Sequence, residues 1–184
     1  MERTRWDFEL VAVVDGFVDG SFSEAKTLEK EFPENKIRVY GYKNNKGKGY
    51  AVRYGIARAR GYYVSFIDSG MDIDPNGISM LLEHMEWYDA DIIVGSKKHP
   101  VSKVQSPFIR KVYSFCYHSL VRFLFGLKIS DTQTGLKVFK LEVLEKVMPR
   151  LLIKQFAFDV ELLAVSNHLG YKKIYEAPIQ ICMD

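Results

Sequence analysis

Three acids, Asp68, Asp72 and Asp74, follow directly on the apolar run from Tyr62 to Ile67, with Gly70 among them and Pro75 closing the turn. Acids at the carboxyl end of a buried strand stand where open α/β sheets bind ligands. Their oxygens suit a hard cation such as Mg2+ or Mn2+ whose remaining ligands are substrate phosphates. The same residues would also serve as an ordinary capped loop between strand and helix, because acids are favoured at helix N-termini. A second group, Lys43-Asn44-Asn45-Lys46-Gly47-Lys48-Gly49, precedes a helical pattern. Backbone N–H groups at such a helix start can hold phosphate, although the segment lacks a Walker spacing and also fits a solvated basic turn. A third group, Arg110, Ser114, His118 and Arg122, recurs every four residues along one apolar stretch, with Lys111 beside it. His84, His99 and His168 are scattered, and no His/Cys metal cluster or Ser-His-Asp arrangement is apparent.

The elements that must position these groups alternate. Leu10 to Val14 reads as a buried parallel strand, followed by the turn Asp15-Gly16-Phe17-Val18-Asp19-Gly20-Ser21. A helix carrying Ala25, Leu28 and Phe32 on one face ends at Pro33. Ile37 to Tyr40 is a short strand, and Val52, Ile56 and Ala59 mark a helix stopped by Gly61. After the strand Tyr62 to Ile67, Asp74-Pro75 reads as the N-cap and first residue of a helix bearing Ile78, Leu81, Leu82 and Met85. Asp91 to Gly95 is a further strand, leading into Ser96-Lys97-Lys98. This rhythm predicts a mostly parallel sheet with helices on both faces and right-handed connections. Leu10–Val14, Tyr62–Ile67 and Asp91–Gly95 are expected as buried strands of one sheet, with Asp15, Asp68 and Lys97 along one rim.

After Lys98 the pattern changes. Phe108 to Leu127 reads as a long helix with Phe108, Val112, Phe115, Leu120, Phe123, Leu124 and Leu127 on one side and the basic stripe on another. That combination suits a helix lying on a membrane surface, and equally a core helix whose stripe borders a cleft. Ser130-Asp131-Thr132-Gln133-Thr134-Gly135 is a polar turn before the strand Leu136 to Phe139. Phe158-Asp159-Val160-Glu161 opens a helix stopped by Gly170, and Lys172 to Cys182 is extended, with Pro178 marking an edge or bulge.

The 184 residues suit a single domain with one sizeable core, and 47% hydrophobic with 27% charged residues is a soluble composition. A net charge of +3 does not argue for nucleic acid, which is not expected as a partner. Cys116 and Cys182 are far apart and form no CxxC, which favours a reducing compartment. No signal peptide and no uninterrupted apolar run of membrane-spanning length is present.

Taken in order, Asp15-Gly16 with Asp19-Gly20-Ser21, Asn45 to Gly49, Phe66 to Asp72 with Pro75, Gly95-Ser96-Lys97, Ser130 to Gly135 and Phe158 to Glu161 resemble the family 2 glycosyltransferases. Within that family they are most similar to the polyprenyl-phosphate sugar transferases. The resemblance covers nearly the whole chain and implies a nucleotide-diphospho-sugar fold of the GT-A type. It implies transfer of a sugar from a nucleotide-diphosphate donor to a polyprenyl (dolichyl or undecaprenyl) phosphate, at the cytoplasmic face of a membrane. Asp15, Lys48, Asp68 and Ser69 then fall to the nucleotide sugar, and Lys97, Arg110, Ser114, Asp131 and Lys137 to the acceptor phosphate. Asp68 and Asp72 become the catalytic and metal-binding acids, for a Mg2+ or Mn2+ held weakly or only together with the donor.

Three departures leave a second reading open, that of a glycosyltransferase-like chain binding a nucleotide sugar, a lipid phosphate or a protein partner without transfer. Val14 stands where the family has the first of two acids, and Gly70 stands where it has the second Asp of Asp-x-Asp. The chain also opens on what resembles the family's second strand, so the first strand, normally central in the sheet, is expected to be missing.

Overall fold

Strands form where the sequence runs apolar or alternates, and helices where apolar residues recur at three and four. A computed structural model of the protein describes residues 5–32, 36–70, 73–97, 99, 119–155 and 157–180. In chain order the elements are β1 (Leu10–Asp15), α1 (Ser21–Glu31), β2 (Ile37–Tyr42), α2 (Lys48–Ile56), β3 (Tyr63–Ile67), α3 (Gly77–Trp87) and β4 (Ile92–Ser96). A helical run over residues 119–125, here α4, follows. Then come β5 (Leu136–Lys140), α5 (Leu141–Val147), a 3-10 turn (Met148–Arg150), α6 (Phe158–His168) and β6 (Ile174–Pro178).

Among the described residues the strands make two sheets, β1-β2 and β3-β5-β4-β6. β1 and β2 are parallel, as are β4 and β6. β5 alone runs antiparallel to its neighbours, β3 and β4. The α/β class is as expected, with this one reversed strand making the larger sheet mixed. Helices cover both of its faces. Ile92, Val94 and Phe139 pack with α5 and α6, while Ile93, Leu136 and Val138 pack with Leu81 and Met85 of α3. The alternation follows from the two-residue period of a strand. Lys137 shares the face of Phe139 and therefore points toward α6.

The expectation of a single sheet through β1, β3 and β4 is corrected. β1 hydrogen-bonds only to β2, and the ladder breaks between β1 and β3. The two strands are linked only indirectly, near their ends. At their starts, Glu9 accepts the Arg60 amide at 2.6 Å. At their ends, the segment 46–48 touches both Asp15 and Asp68. With a partner on one side only, β1 is half-exposed despite its apolar sequence, and Leu10 keeps 44% of its surface in solvent. β4 and β5, flanked on both sides, are buried throughout.

Local differences have local causes. α1 buries none of its residues, so Leu28 and Phe32 make no core stripe. α3 begins at Gly77 rather than at Pro75. Asp74 instead folds a turn before it, its carboxylate accepting the Asn76 amide at 2.9 Å. Pro178 closes β6 at the sheet edge, as expected.

Phe158 joins the α6 start to the rest. It is 0% exposed and packs with Phe66, ring centroids 6.5 Å apart. Gly49 of α2 comes so near that a Cβ there would meet the Phe158 Cβ at 2.8 Å. Phe158→Ala should therefore cost about 3–5 kcal/mol, measured by urea unfolding. A loss below about 1 kcal/mol would mean that this contact does not anchor α6.

Candidate active site at the carboxyl rim of the sheet

β3 and β4 are both antiparallel to β5, so their carboxyl ends open on the same rim. Asp68 follows β3 and Lys97 follows β4, and they line one cleft with Gly70, Ile73, Gln133 and Gly135. The Asp68 amide donates to the Gly135 carbonyl at 3.0 Å, extending the β3–β5 ladder by one bond. The same approach requires glycine at 135, because a Cβ there would overlap the Asp68 carboxylate. Ser69 and Gly70 form an exposed turn beyond it.

Asp15, at the end of β1, faces the glycine–lysine loop. Its two carboxylate oxygens accept the amides of Lys46 at 2.7 Å and Gly47 at 2.8 Å, and its carbonyl accepts from the Asn45 side chain at 3.2 Å. The Gly49 amide donates to the Lys154 carbonyl at 2.8 Å. Gly47 has φ +91°, a conformation that favours glycine. The amides of Lys46, Gly47 and Gly49 are thus taken by the protein itself, and Asp15 acts as the anion that closes the loop. This agrees with the basic-turn reading of the segment. What the loop sends to the rim is the Lys48 side chain.

Lys48 sits between two carboxylates. Its ammonium is 3.0 Å from Asp68 Oδ2 and 2.9 Å from Asp159 Oδ2. The other oxygen of Asp159 receives the Lys137 ammonium at 2.6 Å, and Lys137 also donates to the Thr134 carbonyl at 2.5 Å. Burial works against the Lys48 charge, but Asp159 and then Asp68 outweigh it, and its pKa lies above the ordinary lysine value. Burial prevails at Lys137, whose pKa is lowered despite Asp159. Lys137 is 0% exposed. In this structure it is the counter-ion of Asp159 beneath the site.

Asp131 is likewise buried and inward-facing. It accepts the Lys97 amide at 3.1 Å, the Thr134 hydroxyl at 2.5 Å and the Gln133 amide at 3.3 Å. Its own amide and the Ser130 hydroxyl go to Glu176 of β6 at 3.0 and 2.7 Å. An anion so engaged positions the loop 130–135 and Lys97. Of the expected acceptor residues, Lys97 is the one placed at the cleft. Arg110, Ser114 and Asp72 lie outside the described residues. Two contributors were missed. Asp159 stood in view as an acid inside the apolar start of a helix, whereas nothing in the sequence marked Glu176.

A divalent ion held by protein ligands needs about six oxygens. Around Asp68 the described residues offer that carboxylate and Asp159, with the Lys48 ammonium already between them. No three Asp, Glu, His or Cys side chains converge among the described residues. The residues described here therefore do not fit a metal held by the protein alone.

Residues 2–148 match the family model for glycosyl transferase family 2. The chain is 30% identical over 172 residues to a dolichyl-phosphate beta-glucosyltransferase of Dictyostelium discoideum, covering 90% of this chain and 53% of that one. It is 34% identical over 170 residues to the protein of the same name from Drosophila melanogaster, covering 88% and 52%. It is 28% identical over 144 residues to a dodecaprenyl-phosphate galacturonate synthase of Rhizobium johnstonii, covering 78% and 40%. The chain thus spans about half the length of the curated relatives it matches. Among solved structures, glucosyl-3-phosphoglycerate synthase of Mycobacterium tuberculosis with UDP superposes with a TM-score of 0.68 at 17% identity, covering 96% of this chain and 60% of that one. The same enzyme with Mn2+, UDP-glucose and phosphoglyceric acid gives 0.66 at 17%, covering 94% and 59%. These superpositions establish the GT-A fold.

Gly135→Ala should displace the Asp68 carboxylate and destabilise the chain by about 1–3 kcal/mol, as overpacking does. Urea unfolding checks the cost, and a crystal structure of the variant checks the displacement. An unmoved Asp68 with unchanged stability would refute the close approach.

Proposed function

Since the chain belongs to glycosyl transferase family 2, we propose that it carries the donor half of a polyprenyl-phosphate sugar transferase. It takes a nucleotide-diphosphate sugar at the Asp68 rim and passes the sugar to a polyprenyl phosphate at a membrane surface. The observation that carries this reading is the joining of the rim to an apolar face. The loop Ser130–Gly135, which lines the cleft, follows α4 by a few residues. Leu120, Phe123, Leu124 and Phe125 of α4 are exposed, Phe123 by 86%. Val121 and Leu127 pack into the core, and the apolar residues between them are left facing outward. Leu120, Phe123 and Leu124 turn outward while Leu127 is buried, so these four do not share the one side expected of them. No helix among the described residues is long and apolar enough to cross a membrane.

The chemistry follows from charge. A lipid phosphate is already anionic, so its oxygen attacks the anomeric carbon without a general base. The bond from that carbon to the diphosphate oxygen breaks, and the nucleoside diphosphate leaves with the electron pair. The protein's task is to orient two anions that repel each other. Lys48 and Lys97 are the cations at the cleft for that purpose, and Arg110 with Ser114 is proposed for the acceptor phosphate. Glucose is the first sugar to test, because the relatives named above include glucosyltransferases.

The test incubates the 184-residue chain with UDP-glucose and dolichyl phosphate in liposomes and looks for the glucosylated lipid. Formation of that lipid supports the reading. Donor binding without any lipid product, across UDP- and GDP-sugars, would favour the non-transferring alternative. Phe123→Asp should weaken liposome co-flotation about tenfold to a hundredfold, the equivalent of burying one large apolar side chain. Arg110→Ala should weaken use of the lipid acceptor by a similar factor, the cost of one charge-assisted contact. Unchanged flotation of Phe123→Asp would remove α4 from the membrane contact.

A further inference from the structure

The cation beside Asp68 is one the chain supplies itself. Resting on the donor-site reading above, we propose that the Lys48 ammonium, positioned by Asp159, is the charge that receives the donor's diphosphate. A nucleoside diphosphate then binds this chain without a divalent metal.

Three features of the site lead there. An ammonium has three donors, and those of Lys48 are directed at Asp68 and Asp159, which leaves one for a phosphate oxygen. The carboxylate that would otherwise repel a diphosphate is thereby neutralised at the point of approach. Next, Lys48 can lean toward a ligand without stranding a buried charge. Asp159 keeps Lys137 on its other oxygen at 2.6 Å, and both of those groups are buried. Had Asp159 only Lys48 as partner, any shift of that lysine would leave an unpaired carboxylate inside the fold, which is strongly unfavourable. The Lys137–Asp159 pair thus makes Asp159 a fixed support and Lys48 the movable member. Finally, the loop amides of Lys46, Gly47 and Gly49 are already bonded to Asp15 and to the Lys154 carbonyl. Phosphate recognition on this side therefore falls to side chains. Lys137 and Asp159 are positioning residues here, and Lys48 is the group that touches the ligand.

The test is calorimetric titration of the 184-residue chain with UDP, GDP and inorganic pyrophosphate, each in EDTA and again in Mn2+. The wild type should bind a nucleoside diphosphate in EDTA within about threefold of its affinity in Mn2+. Lys48→Met should lose at least about tenfold in EDTA, the scale of one charge-assisted bond, and Lys48→Arg should recover part of that loss. Pyrophosphate binding in EDTA that also depends on Lys48 would place the contact on the phosphates rather than on the base. Binding of the wild type only in Mn2+ would overturn this inference and leave the donor-site reading standing, and it needs no variant to fold. Equal binding by Lys48→Met, with circular dichroism unchanged, would overturn it as well. Absence of binding in either condition would overturn both.

Discussion

The ion pair between Lys137 and Asp159 is the interaction on which the site depends. Both groups are almost wholly withdrawn from solvent, and an isolated charge so placed would be costly. Together they satisfy each other, while the spare donors and acceptors go to the Thr134 carbonyl and to Lys48. A pair of this kind contributes little net stability over well-packed apolar residues. What it contributes is register. It ties β5 to the first turn of α6, and through Lys48 it ties both to α2 and to the turn after β3. Three segments distant in sequence meet at one carboxylate, and Lys48 joins the fourth to them.

The close packing around that carboxylate makes the arrangement narrow. Phe158, immediately before Asp159, is wedged between Phe66 and Gly49, so the helix that carries the acid cannot slide without opening the core. On the opposite side, Gly135 permits Asp68 to lie against β5. Local backbone freedom at one residue and core packing at another thus set the distance between the two acids that Lys48 bridges. β1 is held differently. Without a ladder to β3, it packs through Val11 and Val13 against α2 at Gly55 and meets the rim at Asp15. The rim is consequently assembled from a four-stranded and a two-stranded sheet linked by α2 and by loops.

Much of this was legible in the residues. Continuous apolar runs marked the strands, though not which of them are buried, Gly and Pro punctuated the helices, and the acids after β3 marked the rim. The family resemblance added the fold type. The sequence could not reveal that β5 runs against its neighbours, because a five-residue apolar strand looks the same in either direction. Nor could it reveal which charges face inward. The family resemblance gives Lys137 and Asp131 to the acceptor, and only the tertiary pairing with Asp159, Thr134 and Lys97 shows them turned into the protein. The exposure of Leu120 and Phe123 was hidden by the same ambiguity, since an apolar stripe at helical spacing fits a core and a membrane surface alike.

Whether phosphate is met by amides or by an ammonium has consequences beyond this rim. Backbone N–H groups at a helix start impose direction, because each points along a fixed bond and cannot follow a moving ligand. Here Asp15 has taken those groups, and a lysine on a flexible stem stands in their place. A point charge of that kind attracts a diphosphate strongly while constraining its orientation less than a bidentate or multi-amide grip would. Orientation must then come from elsewhere in the cleft, and the rigid part of the cleft is the loop 131–135, held by Asp131 and clamped to β6 by Glu176. The division is physically sensible for a reaction between two anions. On the proposed function, charge would come from a side chain that can follow the phosphate, and geometry from a loop held by its buried carboxylate.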